Sequence, residues 1–197
     1  MLLNFNYYKL TLKKIIKRVF KMNKLIILAY MGTGKTELEK RYKNVIDFDF
    51  QDYKYIYDES ISHLPLELRK GNVSLRKENK NYPQNFLSDA LKLLDAGRIV
   101  VSPFIQHVYE AYSSEDFKTK AGNVRIIVVC PMLNNFEEYV ERFKNRGNGE
   151  EFIERRRKEF PSVIEIFNNT TYEKIVIRQG QYLSQALIEY GINLEEK

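Results

Sequence analysis

The chain has 197 residues, enough for one well-packed α/β domain and short for two. With 44% hydrophobic and 29% charged residues it is not a disordered chain, and its single cysteine, Cys130, excludes an intrachain disulfide framework and favours a reducing compartment, the cytoplasm. The formal charge of +6 sits in residues 1–22, which carry Lys9, Lys13, Lys14, Lys17, Arg18 and Lys21 and no acid; the remainder balances 26 basic against 26 acidic residues, so a nucleic-acid partner is not expected. Two histidines and one cysteine exclude a transition-metal cluster, leaving Mg²⁺ on oxygen ligands as the metal to expect.

In residues 1–21, Leu12, Ile15, Ile16, Val19 and Phe20 fall at helical spacing, with lysines and Arg18 on the other face. Lysines interrupt every apolar run, so this basic leader is neither a membrane span nor a secretory signal. A membrane-surface or targeting role is one reading. The preferred one is an upstream extension of a chain that starts at Met22, two residues before the first strand. The domain boundary is therefore set at 21/22.

Lys24 to Thr36, KLIILAYMGTGKT, is an apolar run of strand length ending in a glycine-bearing loop. Backbone N–H groups of such a loop turn inward, and the helix after it begins with unpaired donors and a positive dipole end, so an anion fits there. Met31, Gly32, Thr33, Gly34, Lys35 and Thr36 form the cradle for a nucleotide's phosphates. Lys35 supplies a mobile charge for the β/γ-phosphates, and the Thr36 hydroxyl is a Mg²⁺ ligand. Ala29 stands where the pattern G-x-x-x-x-G-K-[ST] has its first glycine.

A short helix over about 34–42 leads to NVIDFDF, residues 44–50, which alternates with period two. Ile46, Phe48 and Phe50 share one face, and Asp47 and Asp49 the other, about 7 Å apart. Two such acids belong at the C-terminal end of a strand facing a cleft. Asp47 is read as a Mg²⁺ or water-shell ligand and Asp49 as the group serving the acceptor, with capping of the next turn as the plain alternative.

Residues 51–83 show no clear period and read as an insertion between strands that binds the acceptor, where Arg69 and Arg76 could clamp a phosphate. A helix over about 84–96 follows, then RIVVSPF as the third buried strand. That strand ends in Ser102-Pro103 rather than in the aspartate common in phosphate-loop proteins, which moves the Mg²⁺ burden to Thr36 and the strand-two aspartates. The helix after it brings Gln106 and His107 to the same edge, with packing as the safer role.

VRIIVVCP, residues 124–131, is a continuous apolar strand of parallel-sheet type. Residues 133–170 read as helix, turn, helix, with Arg142 and Arg146 four apart on the first helix, Gly147-Asn148-Gly149 as hinge, and Arg155, Arg156 and Arg157 on the second. An arginine-bearing hairpin after strand four has the design of a closing lid that neutralises a transferring phosphoryl group. The strand YEKIVIR and an amphipathic last helix close the chain, placing Arg178 near the nucleotide base.

AYMGTGKT, the D-x-D of Asp47 and Asp49, the arginine hairpin and GQYL at 180–183 together resemble the P-loop kinases of the nucleoside-monophosphate-kinase superfamily, over Met22 to about Leu194. YP at 82–83 and RGN at 146–148 are similar to a phage and low-GC bacterial branch of nucleotide kinases. The resemblance implies a three-layer α/β fold with a five-stranded parallel sheet ordered 2-3-1-4-5, ATP as donor, Mg²⁺, and in-line phosphoryl transfer. Lys35, Asp47, Asp49, Arg142 and Arg146 would be the catalytic set, Met31 to Thr36 and Arg178 the nucleotide contacts, and Thr36 and Asp47 the metal ligands. The expected acceptor is a (deoxy)nucleoside monophosphate met by a monomer or dimer. Another small molecule, a nucleic-acid end, or a non-catalytic ATP-binding module are the alternatives.

Overall fold

The computed structural model describes residues 24–197, so the readings of the basic leader and of Met22 as a start lie outside the described residues. Among the described residues seven strands form: β1 Lys24–Ala29, β2 Val45–Asp47, β3 Tyr55–Tyr57, β4 Arg76–Glu78, β5 Ile99–Pro103, β6 Val124–Pro131 and β7 Glu173–Ile177. Five make one sheet in the order β2-β5-β1-β6-β7, every neighbour parallel. Counting only that sheet's strands, the order is 2-3-1-4-5, as expected from the resemblance. Strand order reverses at β1, which opens a crevice at its C-terminal end, where the glycine loop begins.

The helices are α1 Lys35–Arg41, α2 Gln51–Lys54, α3 Glu59–Ser62, α4 Leu66–Arg69, α5 Gln84–Asp95, α6 Gln106–Ser113, α7 Glu115–Ala121, α8 Phe136–Asn145, α9 Glu150–Asn169 and α10 Leu183–Glu189. Because side chains alternate along a strand, the apolar runs of β1, β5 and β6 feed both faces of the sheet. Ile26, Leu28, Val100, Ile126 and Val128 pack with α5 to α9. Leu25, Ile27, Ala29, Ile99, Ile127 and Val129 pack with α1 and α10.

The period-two reading of residues 44–50 is right about faces: Phe48 and Phe50 are buried and Ile46 is packed beside them. The ladder stops at Asp47, however, and Asp49 lies in the turn beyond, accepting a hydrogen bond from the Gln51 backbone N–H at 2.9 Å. The insertion 51–83 is more ordered than its sequence indicates. Three short helices flank an antiparallel pair in which Tyr55 faces Glu78 and Tyr57 faces Arg76. Strands of three residues, about twenty apart in sequence, are too short for a periodic signal. Helix α7 is likewise an addition to the expected elements.

The 133–170 hairpin also differs from a free-standing flap. Phe136, Tyr139, Val140 and Phe143 of α8 and Ile153, Phe160 and Phe167 of α9 are all buried in the main core. The turn around Arg146, Gly147 and Gly149 stands exposed, as do the outer faces of both helices.

Candidate active site

The loop leaves β1 through Ala29, the last residue of the strand, whose Cβ is buried in the core below the loop. No non-glycine residue among those described has a positive φ, so alanine meets no backbone penalty at the motif's first position. Gly32 (φ +78°) and Gly34 (φ +100°) take the left-handed turns that follow. At Gly32 a Cβ would lie 3.0 Å from Phe143 Cε1 and 3.2 Å from Tyr139 Cδ1, so α8 presses directly on the loop.

Thr33 is fully buried, and its hydroxyl donates to the Tyr30 carbonyl at 2.7 Å. Its side chain therefore braces the loop from inside, and only its backbone can serve a ligand. The Thr33 carbonyl accepts from the Leu183 N–H at 2.9 Å, tying α10 to the loop. Tyr30 is buried between Tyr139 and Phe160, and Met31 is half-buried with its sulfur 4.0 Å from an Arg156 nitrogen.

Lys35 opens α1, and Thr36 follows with its hydroxyl donating to Asp47 Oδ2 at 2.7 Å. Burial pulls the Lys35 ammonium below the ordinary lysine range; the nearby Asp47 and Asp49 carboxylates oppose this, and Arg146 and Lys70 add to it. Burial also lifts the Asp49 carboxyl above the usual range, against the Gln51 N–H and the Lys35 charge. Lys35, Asp47, Asp49 and Arg146 thus share one electrostatic neighbourhood, assembled from α1, β2 and the tip of α8.

Arg142 does something other than face an empty cleft. Its Nη1 donates to the Gly32 carbonyl at 3.1 Å and its Nη2 to the Gln181 carbonyl at 2.9 Å, and it pairs with Glu138. The guanidinium also lies 4.2 Å from the Tyr182 ring centroid and 4.8 Å from that of Tyr139. Glu138 completes the link by accepting from the Gly180 N–H at 3.0 Å. In this structure the donors of Arg142 are engaged by the loop and by residues 180–182. Arg146, one turn on, is exposed and has no ion pair among the described residues. Arg178 is exposed and pairs with Glu189, its backbone N–H donating to Gln181 Oε1 at 3.0 Å.

Three further sequence candidates have structural partners. Arg69 pairs with Asp52 at 2.8 Å and covers the Tyr57 ring; Arg76 donates to the Lys70 carbonyl at 2.8 Å and lies 3.8 Å from the Tyr55 ring centroid. His107 packs edge-on against Phe50 with its Nε2 enclosed and unpaired, and burial pulls its pKa down to about 4. It is neutral near pH 7, as a packing histidine would be. Ser102, where an acid was looked for, is fully buried; its hydroxyl donates to the Phe48 carbonyl at 3.0 Å and lies 3.1 Å from the Tyr112 hydroxyl. That position staples β5 to Phe48, just beyond the end of β2.

Among the described residues no group of three or more His, Cys, Asp or Glu side chains is placed to hold a metal. The Thr36 hydroxyl and Asp47 carboxylate are hard oxygen donors already in contact, which fits Mg²⁺ completed by phosphate oxygens and water.

No protein-family model matches the chain. A stretch of 66 residues, 32% of the chain, is 33% identical to a shikimate kinase of Flavobacterium psychrophilum and spans 38% of that protein's length. The fold is similar to that of the tunicamycin resistance protein of Deinococcus radiodurans, with a TM-score of 0.55 over 90% of this chain and 100% of that one, at 15% identity. At that identity the likeness bears on the fold.

Sheet order and glycine loop together define the fold class: a three-layer α/β fold with a five-stranded parallel sheet and a glycine-bearing loop after β1, the same fold class as that neighbour. Within that class the residue-level match is to a small-molecule kinase, over about a third of either chain.

Proposed function

We propose that the protein transfers the γ-phosphoryl group of ATP to a small acceptor, with a (deoxy)nucleoside monophosphate as the first choice. The observation that carries this reading is the contact between Thr36 and Asp47, with Lys35 and Asp49 beside it. A loop that merely bound a nucleotide would not need a second carboxylate held near the lysine.

In this reading the backbone of Met31 to Thr36 wraps the donor phosphates, and Lys35 neutralises the oxygens on which charge accumulates during transfer. Thr36 and Asp47 would hold Mg²⁺, which when bound draws charge from the phosphate oxygens. Asp49, with its raised affinity for a proton, accepts the proton of the acceptor's attacking oxygen or orients that group. Arg146, without an ion pair among the described residues at the hairpin tip, supplies mobile positive charge; Arg142 fixes α8 against the loop so that the tip is correctly placed.

The match to a shikimate kinase favours a second reading, transfer to a hydroxyl of a non-nucleotide acceptor. Labelled ATP offered with a panel of ribo- and deoxyribonucleoside monophosphates, hydroxylated carboxylic acids and oligonucleotide 5′ ends separates these. Lys35→Ala should abolish every transfer, and a fully active Lys35→Ala protein would sink the proposal.

A further inference from the structure

Three carbonyls of the glycine loop have protein donors. Tyr30 accepts from the Thr33 hydroxyl at 2.7 Å, Gly32 from Arg142 Nη1 at 3.1 Å, and Thr33 from the Leu183 N–H at 2.9 Å. The one cis peptide bond among the described residues is Tyr82–Pro83, so the loop's peptides are trans, and in a trans unit the N–H points opposite to the C=O. The N–H groups of Met31, Thr33 and Gly34 are therefore turned away from the donors that hold those carbonyls. None of the three has an acceptor among the described residues. Gly32 and Thr33 are buried, and a buried N–H is costly until an oxygen reaches it.

The tie at Gly32 is made by a side chain that is itself held on every side. Arg142 Nη2 donates to the Gln181 carbonyl, the guanidinium lies against the rings of Tyr139 and Tyr182, and Glu138, one turn earlier on α8, pairs with it. The other oxygen of Glu138 accepts from the Gly180 N–H at 3.0 Å. One ion pair thus grips the phosphate loop and the 178–182 turn together. The two side chains are only 10% and 22% exposed, so this is not a solvated surface pair of the kind that contributes little.

We propose that Arg142 and Glu138 are positioning residues for the phosphate donor: by holding the Gly32 carbonyl outward they keep the Thr33 N–H aimed before the donor arrives, and so set the affinity for its phosphate chain. The inference rests on the reading of the loop as the donor site. Without the guanidinium, the peptide between Gly32 and Thr33 can rotate, because glycine accepts a wide range of backbone angles. The donor must then bear the cost of ordering it. Glu138 acts through Arg142, since its charge and its bond to Gly180 fix where the guanidinium lies. A lysine at 142 carries the charge but has no planar fork, and cannot serve the Gly32 and Gln181 carbonyls at once in the same geometry.

The test is calorimetric titration of the full chain with two probes in the presence of Mg²⁺: ATP, and inorganic tripolyphosphate, which has the phosphate chain and no base. Glu138→Gln and Arg142→Lys should each weaken both probes by about 10-fold, the equivalent of one charge-assisted hydrogen bond. Leu94→Ala, which cuts a buried side chain at the end of the sheet opposite the loop, is the destabilised control and should bind both probes within about twofold of the wild type. Unchanged tripolyphosphate affinity in Glu138→Gln and Arg142→Lys would overturn the proposal, and so would equal weakening in Leu94→Ala, which would reduce the effect to general loss of stability. Weakening of ATP alone would also overturn it, by moving the effect to the 178–182 turn. A wild-type protein that binds neither probe would sink the donor-site reading as well, whereas a wild type that binds both beside unchanged variants sinks this inference alone.

Discussion

The Thr36 hydroxyl donates to Asp47 Oδ2 at 2.7 Å across eleven residues of sequence, joining the start of α1 to the end of β2. Both atoms are hard oxygens, and their meeting point is where the loop's lysine also lies. Asp47→Asn keeps the size and one acceptor but removes the charge that would hold Mg²⁺. Phosphoryl transfer should fall by about 10- to 100-fold and require more Mg²⁺ for half-maximal rate. Thr36→Ser, which keeps the hydroxyl, should stay near wild type. Steady-state rates against Mg²⁺ concentration check both.

Asp49 makes a pH prediction whose sign is fixed by its surroundings. Burial raises its folded pKa, so the folded state holds the proton more tightly than the unfolded chain. Its contribution to stability is then lost as pH rises from the unfolded pKa, about 4, through the folded one. At pH 7 the ionised carboxylate is a cost. Asp49→Asn, which can still accept from the Gln51 N–H, should raise Tm at pH 7, with the gain vanishing below pH 4 or so, while transfer is lost. A lower Tm at pH 7 would contradict the burial argument. In the wild type, kcat should fall on the acid side at a higher pH than an ordinary aspartate would impose.

The two arginines of α8 should separate by measurement. Arg142→Ala frees the Gly32 and Gln181 carbonyls and strands Glu138, so unfolding in denaturant without any nucleotide should show a loss of about 2 kcal/mol. Arg146→Ala breaks no ion pair among the described residues, so its stability should change by less than about 0.5 kcal/mol while kcat drops by about 100-fold. If Arg146→Ala leaves kcat intact, the hairpin tip has no part in transfer.

Gly32 and Gly122 provide a matched comparison of backbone and contact strain. Both have positive φ, but only at Gly32 would a Cβ meet Phe143 and Tyr139 at 3.0–3.2 Å; at Gly122 it meets nothing. Gly122→Ala should cost about 1–3 kcal/mol from a backbone conformation (φ 68°, ψ −128°) that side chains rarely adopt. Gly32→Ala should cost about 1–3 kcal/mol more from displaced aromatic rings, and ATP affinity should fall with it. Equilibrium unfolding and nucleotide titration of the two variants test this.

Much of the molecule was legible from local pattern. Long apolar runs at 24–29, 99–103 and 124–131 could only be buried strands, since no other element hides both faces of such a run, and the glycine loop after the first marked the crevice. Asp47 and Asp49 were recognisable because period two puts both on the face opposite the buried Phe48 and Phe50. Pattern did not reach the short β3–β4 pair, whose pairing is long-range, or the partners of Arg69, Arg76 and Arg142. A guanidinium's spacing on a helix says which face it is on and nothing about which carbonyl waits there. Sequence by itself determined the sheet, the loop and the acids, because those depend on hydrophobic periodicity and on residue types within a few positions. Only the tertiary structure decided that Arg142 is engaged by the loop while Arg146 has no ion pair among the described residues, that Ser102 staples two strands, and that the hairpin 133–170 is rooted in the core. Each of these rests on contacts between segments that lie far apart in the chain and meet only when the sheet and its helices pack.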